Sequence, residues 1–205
     1  RAIAEGKSVA YASEAGTPLI SDPGFQLGRA AIAEGHQVLS APGASAVLCA
    51  LTVSGLPSDR FLFAGFPPAA KSARETFLRD LVQLQATLIL YESPKRINQL
   101  LDDLVQSHGA GRNAVVCREL TKRFEEVSRG TLAELAEQFA AREVKGEIVV
   151  LVDRAAERVA DGLEVGAALE KAMQNMSMKD AAAAVAEAFG LPRREVYQMA
   201  LGMQG

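Results

Sequence analysis

Two side chains of opposite charge, Glu119 and Lys122, stand three residues apart in a charged stretch over 119–126, directly after a predicted strand over 114–118. At the end of a strand, this spacing allows a carboxylate base and a phosphate-binding cation to be presented together. A solvated turn held by its own ion pairs has the same residue types, and the residues alone favour it because charge clusters usually lie on exposed faces. The pattern by itself leaves both interpretations open.

A second candidate site depends on backbone rather than on charge. Residues 11–24 contain two glycines and two prolines between a predicted strand over 8–12 and a predicted helix over 23–35. Glycine permits positive φ and proline fixes φ, so we expect a stiff loop at the carboxyl end of a strand, where open α/β sheets hold ligands. Residues 38–46 repeat the order of strand, Pro-Gly turn and helix, and N–H groups at the start of that helix suit a carboxylate. Two ordinary turns that simply pack a helix on the sheet are the alternative.

The composition is that of a chain of 205 residues with a formal net charge of −3 and 49% hydrophobic residues. This length suits one large or two small domains, and no apolar run reaches the roughly 18 residues of a membrane span. The charge gives no global sign of nucleic-acid binding, which would need a local basic patch. Cys49 and Cys117 lie in apolar surroundings, so we expect buried thiols of a reducing compartment. No signal peptide is recognised, and we expect a cytoplasmic protein.

Several chemical signatures do not occur in the sequence. There is no GxGxxG fingerprint, no Walker loop, no paired-cysteine zinc spacing and no GxSxG elbow. Dinucleotide, ATP, zinc and α/β-hydrolase functions therefore lose support, and we expect no metal site.

Alternating strand and helix patterns predict an α/β fold in two domains with a helical appendage. The first domain covers 1–56, and the second covers 57–153 with about five strands. A hairpin at the charged stretch would make the second sheet mixed. Residues 163–205 form the helical region, where a glycine turn joins two helices in a helix-turn-helix outline. Arg193 and Arg194 open its last helix and are candidates for phosphate contact, although many plain helical hairpins share this outline.

Three helix starts are predicted from capping residues. Thr131 and Glu134 have the spacing of a capping box, and Ser177 precedes an alanine-rich helix. Ser93 as the N-cap, with Pro94 at the first helical position, opens another helix.

Six blocks occur in a fixed order over roughly residues 5–153: SEAGTPLISDPG (13–24), APGASAV (41–47), GLPSDRFLFAGFPP (55–68), LILYESPKRI (88–97), CRELTKRFEEV (117–127) and KGEIVVLV (145–152). Together they closely resemble the tetrapyrrole-methylase superfamily of S-adenosylmethionine-dependent enzymes. Within it, the chain looks most like the bacterial 16S rRNA cytidine 2'-O-ribose methyltransferases. The resemblance implies a two-domain tetrapyrrole-methylase-like fold and methyl transfer to a ribose 2'-hydroxyl in the decoding region of the small-subunit rRNA.

The resemblance also implies which residues bind the cofactor, S-adenosylmethionine, in a cleft between the two domains. They are Ala15, Gly16, Thr17, Ile20, Ser45, Ala46, Tyr91, Glu92, Gly146 and Glu147.

The acceptor side of the implied site is charged. Glu119 and Lys122 match the RELTK block and are the implied catalytic pair. The residues implied to bind RNA are Arg96, Arg118, Arg123, Arg193 and Arg194. The implied partners are 16S rRNA in the small ribosomal subunit and a second copy of the chain in a homodimer.

Residues 1–6 have the pattern of the last turns of a helix closed by Gly6. Members of the resembled family carry a further N-terminal strand and a glycine-containing loop before this point. We therefore expect a fragment that lacks the first half of the N-terminal domain.

Two other functions remain open at this stage. A superfamily member acting on a tetrapyrrole or another small acceptor would have an enclosed apolar pocket instead of an exposed basic strip. A non-enzymatic nucleic-acid-binding module would bind through residues 177–203 alone, with an affinity that falls steeply with salt.

Overall fold

The computed structural model describes residues 1–156 and 162–203, and the chain divides into two units, Arg1–Ala156 and Glu157–Gly205. The first unit contains, in chain order, α1 (Phe25–Ala33), α2 (Ala46–Ser54), β1 (Phe61–Gly65), α3 (Lys71–Asp80), β2 (Thr87–Glu92), α4 (Ile97–His108), β3 (Asn113–Arg118), β4 (Glu126–Thr131), α5 (Leu132–Ala140) and β5 (Ile148–Val152). The second contains α6 (Gly162–Met173), α7 (Met178–Phe189) and α8 (Arg193–Gly202).

A five-stranded sheet with the order β1-β2-β5-β3-β4 forms the centre of the first unit. β1 and β2 are parallel, whereas β5 is antiparallel to both β2 and β3. β3 and β4 form an antiparallel hairpin around the charged stretch. The predicted mixed sheet of about five strands is therefore confirmed. β5 is buried at every position because it has a neighbour on each side and helices on both faces.

The two faces of this sheet carry separate contact layers, because successive side chains of a strand point to opposite faces. On one face, Cys117 of β3 and Leu151 of β5 pack with Val47 and Leu51 of α2. On the other face, α3, α4 and α5 cover the larger layer. Its helix members include Leu78, Leu100, Leu104, Leu135 and Phe139, and its strand members include Leu88, Leu90, Val116 and Val150. α2 thus packs on the sheet of residues 57–153, and the predicted domain division at residue 56 stays a prediction.

Two of the predicted helix starts are confirmed. The Thr131 hydroxyl accepts a hydrogen bond from the Glu134 N–H, and the Glu134 carboxylate accepts one from the Thr131 N–H at 2.8 Å, which completes a capping box. Ser177 caps α7 by accepting a hydrogen bond from the Asp180 N–H. Each cap satisfies N–H groups that a helix cannot satisfy itself.

The prediction that Ser93 caps α4 is wrong. The Ser93 carbonyl accepts a hydrogen bond from the Arg96 N–H at 3.0 Å in a separate turn, and the helix begins only after Arg96. Arg96 binds Glu92 through its side chain across this turn. That ion pair holds Arg96 at φ −114°, outside the helix.

The first 45 residues contain one helix, and the rest of their backbone is turn or irregular. The predicted helix over 23–35 is confirmed as α1, but the predicted strands over 8–12 and at the start of 38–46 are wrong. A strand depends on hydrogen bonds to a neighbour, and within the described residues neither segment pairs with one. Val9 and Leu39 are 53% and 79% exposed, so these segments also lack a buried face.

The second unit packs its three helices around a small apolar centre of its own. Leu169 of α6, Val185 of α7 and Val196 of α8 are buried in it. Gly190 ends α7 in the left-handed conformation, at φ 64°. The predicted helical region with a glycine turn is confirmed, while the predicted linker over 154–162 falls largely on 157–161, outside the described residues. None of the helices in the described part of the chain is long and apolar enough to cross a membrane.

Candidate functional site

The two turns rich in glycine and proline touch each other. The Thr17 hydroxyl donates a hydrogen bond to the Ala44 carbonyl at 3.0 Å, across 27 residues of sequence. Gly16 has φ 74°, and a Cβ placed on it would lie 3.5 Å from the same carbonyl oxygen. The Ser13 hydroxyl bonds to the Gly16 carbonyl at 2.8 Å. Both turns are therefore held together by polar contacts, although neither follows a strand in the structure.

The second turn leads directly into α2, with Ser45 as the N-cap residue and Ala46 as the first helical residue. Ser45 has extended backbone angles, but its side chain makes no capping hydrogen bond. α2 also has no acidic residue in its first turn. The backbone N–H groups at this helix start are thus left for other partners, which is the arrangement that binds anions at helix N-termini.

Tyr91 of β2 lies beneath this helix start. Its ring packs edge-on against Phe63 at 4.7 Å and Phe66 at 5.5 Å between centroids. Burial raises the pKa of Tyr91, a hydrogen bond from the Val47 backbone opposes that shift, and the charge of Glu147 adds to it. The Tyr91 side chain therefore keeps its proton at neutral pH, and it packs against the apolar cluster that contains Val47 of α2.

The charged turn after β3 has an unusual backbone. Glu119 and Thr121 both adopt positive φ, 51° and 66°. Such angles cost energy in residues other than glycine and persist where surrounding contacts impose them. Here the Glu119 N–H donates to the Glu147 carbonyl at 2.9 Å, and the Glu147 N–H donates to Glu119 Oε1 at 2.8 Å.

Lys122 forms ion pairs with two carboxylates, that of Glu119 in this turn and that of Glu147 just before β5. Its Nζ lies 3.0 Å from Glu119 Oε1 and 2.9 Å from Glu147 Oε2. The Glu147 N–H and then the Lys122 ammonium hold the pKa of Glu119 below its usual value. Glu147 and then Glu119 raise the pKa of Lys122. At neutral pH, Glu119 is therefore a carboxylate and Lys122 is a cation.

Gly146 permits the close approach of Glu119. It has φ 91°, and a Cβ placed on it would lie 2.5 Å from Cγ, Cδ and Oε1 of Glu119. No side chain fits at that distance, so glycine at 146 is a condition for the Glu119 position. Gly146 and Glu147 therefore contact the charged turn directly through Glu119.

An open cavity of about 400 Å³ lies between the outer face of α2 and the charged turn. Gly43, Ala44 and Ser45 border one side of it, and Leu120 and Thr121 border the other. Its size falls within the range of about 300–1,000 Å³ that is usual for small-molecule sites. Of the predicted cofactor residues, Ser45 lines this cavity. The predicted catalytic residues Glu119 and Lys122 are not among its lining residues, although their neighbours Leu120 and Thr121 are.

The residues around this cavity fit S-adenosylmethionine. Small residues over 43–45 leave backbone N–H groups accessible, which suits the carboxylate of its methionine end. Leu48, Cys49 and Val53 supply apolar lining, and Thr52 adds a hydroxyl. That mixture suits an adenosine, which presents a flat base and a few polar atoms.

The side chains of Glu92 and Arg96 form an ion pair with each other. Glu92 is 3% exposed, and its carboxylate accepts from Arg96 Nε and Nη2, each at 2.7 Å, and from the Ser93 N–H. Arg96 Nη2 also donates to the Pro67 carbonyl at 2.9 Å. The predicted roles of these two side chains in cofactor and RNA binding stay predictions, but their contacts here are within the protein.

The remaining arginines predicted to bind RNA differ in their exposure and in the protein groups that their guanidinium groups contact. Arg118 is paired with Glu126 at 3.0 Å and donates to the Lys145 carbonyl. Arg123 is exposed and lies over the Phe124 ring at 5.4 Å. In the second unit, Arg193 and Arg194 lie exposed in the first turn of α8. Ile20, of the predicted cofactor set, is also exposed.

Arg129 is a residue of this region that the sequence patterns do not identify. It lies on β4 and donates hydrogen bonds to the carbonyls of Val53 and Ser54 at the end of α2. An arginine in a short polar strand carries no signal for such a role. Only knowledge of which face of β4 meets α2 would have indicated it.

Comparisons with known proteins agree with this architecture. Residues 1–136 match the family model of tetrapyrrole (corrin/porphyrin) methylases, and residues 159–204 match the model of the RsmI C-terminal HTH domain. A Mesorhizobium japonicum protein named ribosomal RNA small subunit methyltransferase I is 44% identical over 204 residues, covering 99% of this chain and 69% of that protein. A Xylella fastidiosa protein of the same name is 48% identical over 198 residues, covering 94% and 71%.

Among solved structures, the methyltransferase CobJ matches this chain with a TM-score of 0.53 and 22% identity. The match covers 69% of this chain and 62% of CobJ, and it concerns the fold alone. The α/β fold and the enzyme class expected from the six sequence blocks are confirmed. The chain belongs to the tetrapyrrole (corrin/porphyrin) methylase family, and is thus a methyltransferase.

Proposed function

We propose that the chain transfers the methyl group of S-adenosylmethionine to the ribose 2'-oxygen of a cytidine in the decoding region of 16S rRNA. In this proposal the substrate is the RNA of the small ribosomal subunit in the cytoplasm, and the enzyme acts as a homodimer. The relatives named ribosomal RNA small subunit methyltransferase I support an rRNA substrate. The match of residues 159–204 to the C-terminal domain of those proteins supports it further.

The observation that carries the proposal is the shared cavity. Turn 43–45 at the start of α2 and Leu120–Thr121 of the charged turn border it from opposite sides. A methyl donor held by the first turn would thus lie next to Leu120 and Thr121, which stand between Glu119 and Lys122 in the sequence. Holding donor and acceptor in line is the main requirement of methyl transfer, since it replaces a bimolecular encounter.

The cofactor side is assigned to backbone and small side chains. Ala15, Gly16, Thr17 and Ile20 form the first turn, Ser45 and Ala46 begin α2, and Tyr91, Glu92, Gly146 and Glu147 complete the proposed set. When bound, S-adenosylmethionine supplies a methyl group attached to a sulfonium, and the rest of the cofactor leaves as a neutral thioether. The chain's own contribution is to bind the carboxylate end at the α2 N-terminus and to exclude water from the apolar lining.

On the acceptor side, Glu119 rather than Lys122 is the proton acceptor in this proposal. The pKa of Lys122 is raised, so its amine holds its proton and cannot take another. The pKa of Glu119 is lowered, so its carboxylate is ionised, and the hydrogen bonds from Lys122 Nζ and from the Glu147 N–H both end on Oε1. Oε2 then accepts the proton of the 2'-hydroxyl, while the Lys122 cation binds the adjacent phosphate.

RNA binding is assigned to charges outside the cavity. Arg123 next to the charged turn, and Arg193 and Arg194 at the start of α8, are exposed. They would contact the phosphate backbone, which positions an RNA without reading its sequence. Arg96 and Arg118 were also predicted to bind RNA. In this proposal their role is instead to hold the local structure through ion pairs with Glu92 and Glu126.

Two measurements test the proposal. Calorimetric titration with S-adenosylhomocysteine should give binding that Thr17→Trp or Ser45→Trp weakens. Transfer of labelled methyl to small ribosomal subunits that lack this modification should give a labelled cytidine 2'-O-methyl group. Glu119→Gln should lower kcat by a factor on the order of 10²–10⁴, with cofactor affinity kept, whereas Lys122→Gln should mainly raise KM for RNA.

Glu137→Gln on the exposed face of α5 is the matched control and should leave both measurements unchanged. Methyl transfer to a base or to a tetrapyrrole instead of a ribose would overturn the substrate assignment. Full activity of Glu119→Gln would overturn the assignment of the base.

A further inference from the structure

α2 satisfies its own ends only in part. Its N-cap side chain makes no capping bond, its first turn has no acidic residue and its last turn has no basic one. At the C-terminal end, the Ser54 hydroxyl donates to the Leu51 carbonyl at 2.8 Å, and Gly55 ends the helix at φ 79°. A helix begins with unpaired N–H groups and a partial positive charge, and ends with unpaired carbonyls and a partial negative charge. The carbonyls of Val53 and Ser54 are thus left for a partner from elsewhere in the fold.

The C-terminal end of α2 receives a cation from the sheet. Arg129 of β4 donates from Nε to the Ser54 carbonyl at 3.1 Å and from Nη2 to the Val53 carbonyl. These contacts span 75 and 76 residues of sequence. A guanidinium at this position both fills carbonyls that the helix leaves unpaired and complements the helix dipole.

The rest of α2 packs on the same sheet. Val47, the second helical residue, lies in an apolar cluster that Tyr91 of β2 packs against. Ala50 and Leu51 belong to the same cluster, together with Val115 and Cys117 of β3. α2 is thus held by apolar packing along its buried face and by the Arg129 hydrogen bonds at its C-terminal end.

We propose that Arg129 is a positioning residue for the methyl-donor site. By fixing the C-terminal end of α2, it fixes the axial position of the helix, and with it the turn at 43–46 that borders the cavity. This inference rests on the proposed function, because it assigns cofactor binding to that turn. Arg129 itself is not among the residues that line the cavity, so its effect on the cofactor is transmitted through the helix.

The cofactor test compares three variants by calorimetric titration with S-adenosylhomocysteine. Arg129→Gln removes the charge and should weaken binding by about tenfold, in line with the loss of one charge-assisted capping contact. Arg129→Lys keeps a cation near the Val53 and Ser54 carbonyls and should recover part of the affinity. Arg79→Gln, at an exposed position of α3, makes the same chemical change and should have no effect. In kinetics, Arg129→Gln should raise KM for S-adenosylmethionine and leave KM for RNA unchanged.

A second readout needs no ligand, and it uses the chain's own thiols. Cys117 is 0% exposed beneath α2, whereas Cys49 lies half-buried on α2 itself. Burial also raises the pKa of Cys117 to about 11, so this thiol reacts only when α2 moves away. The charge of Arg129 lowers the pKa of Cys117, so its loss alone would slow the reaction of this thiol, and faster labelling reports movement of α2. Arg129→Gln should speed labelling of Cys117 by a small-molecule alkylating reagent by about tenfold relative to Cys49.

The outcomes separate this inference from the proposed function. If the parent chain binds S-adenosylhomocysteine and Arg129→Gln binds equally well with unchanged Cys117 labelling, the positioning role is wrong and the function stands. If the parent chain does not bind, the thiol readout still decides the hold of Arg129 on α2, while the cofactor assignment fails. Equal acceleration at both cysteines, together with lower global stability, would show a general structural role and overturn the proposal.

Discussion

Arg74 of α3 and Asp103 of α4 form an ion pair inside the first unit, with Arg74 Nε 2.6 Å from Asp103 Oδ2. Their residues are only 4% and 6% exposed. The guanidinium also donates to the Ala69 carbonyl at 2.9 Å and to the Pro68 carbonyl at 3.4 Å. One buried cation thus connects two helices with the turn that follows β1.

Removing one member of this pair should be more damaging than its net contribution suggests. Asp103→Leu leaves a buried guanidinium without its counter-ion, and we expect the free energy of unfolding to fall by about 3–5 kcal/mol. The double variant Arg74→Met/Asp103→Leu should lose less than the sum of the single losses, because the isolated charge is gone. Denaturant unfolding measures the stability of the single variants Asp103→Leu and Arg74→Met and of the double variant. The exposed Lys71–Glu75 pair is the control, and Glu75→Ala should change stability by less than about 0.5 kcal/mol. Strictly additive losses at 74 and 103 would contradict this account.

Gly146→Ala should disrupt the charged site through space rather than through backbone strain alone. The new Cβ would lie 2.5 Å from Glu119 and would displace its carboxylate from the Glu147 N–H. Gly109 has a similar φ, 93°, with open space around its Cβ position. Gly109 has ψ 139°, outside the left-handed helical region, so Gly109→Ala should lose only a strain cost of about 1–3 kcal/mol and keep full activity. Gly146→Ala should lose both stability and kcat. Thermal unfolding and methyl-transfer rates measure the two effects, and equal activity of both variants would count against the Glu119 assignment.

His108 should make the first unit sensitive to mild acid. It is buried at the end of α4, and desolvation, then the charge of Arg112, lower its pKa from 6.5 to about 4. The unfolded chain therefore binds the proton first as the pH falls, so stability is lost between about pH 6.5 and 4. The slope is at most about 1.4 kcal/mol per pH unit.

His108→Leu tests this directly. His108 Nδ1 lies 2.9 Å from Ser107 Oγ, while Nε2 has no hydrogen-bond partner in the described part of the chain. The substitution should therefore lower stability at pH 8 by only about 1 kcal/mol, the net contribution of one neutral hydrogen bond. The variant should lose less stability than the parent between pH 6.5 and 4 in urea unfolding. Identical acid slopes would show that His108 is not the group responsible.

Substitution by glutamine should lower stability at Arg96 but change RNA binding at Arg123. Arg96→Gln leaves the buried Glu92 carboxylate without its cation and should mainly lower stability. Arg123→Gln removes an exposed charge and should leave stability unchanged, while it reduces the salt dependence of RNA binding by about 0.7–0.9 in log K per log salt. Filter binding at several salt concentrations and thermal unfolding separate the two. A lower salt slope for Arg96→Gln at unchanged stability would return Arg96 to the RNA-binding surface.

The part of the fold that the sequence predicts is the part governed by local signals and buried runs. β2 and β5 are continuous apolar segments, and Thr131 with Glu134 encodes a helix start within four residues. The segment over 8–12 shows the limit of such reasoning. Its residues suit a strand, but a strand forms only when another strand supplies hydrogen bonds, and composition does not reveal that partner.

The turns of the candidate site could be predicted from the sequence, but the hydrogen bonds and ion pairs between them could not. Resemblance identified the turn at 43–46 and the RELTK turn, but the bond from Lys122 to both Glu119 and Glu147 depends on how β3 and β5 pair. Arg129 depends on which face of β4 meets α2. Contacts between residues distant in sequence follow from sheet order and register, and these are set by the whole fold rather than by any one segment.

The order of the sheet also governs how this protein emerges during synthesis. β5 is the last strand in the described part of the chain, yet it lies in the middle of the sheet, between β2 and β3. Until residues 148–152 leave the ribosome, the β1–β2 pair and the β3–β4 hairpin have no strand to join them, and both expose an edge. The sheet can be completed only after β5 has been translated, and a stall before residue 148 would leave the edges of β2 and β3 unpaired and open to aggregation.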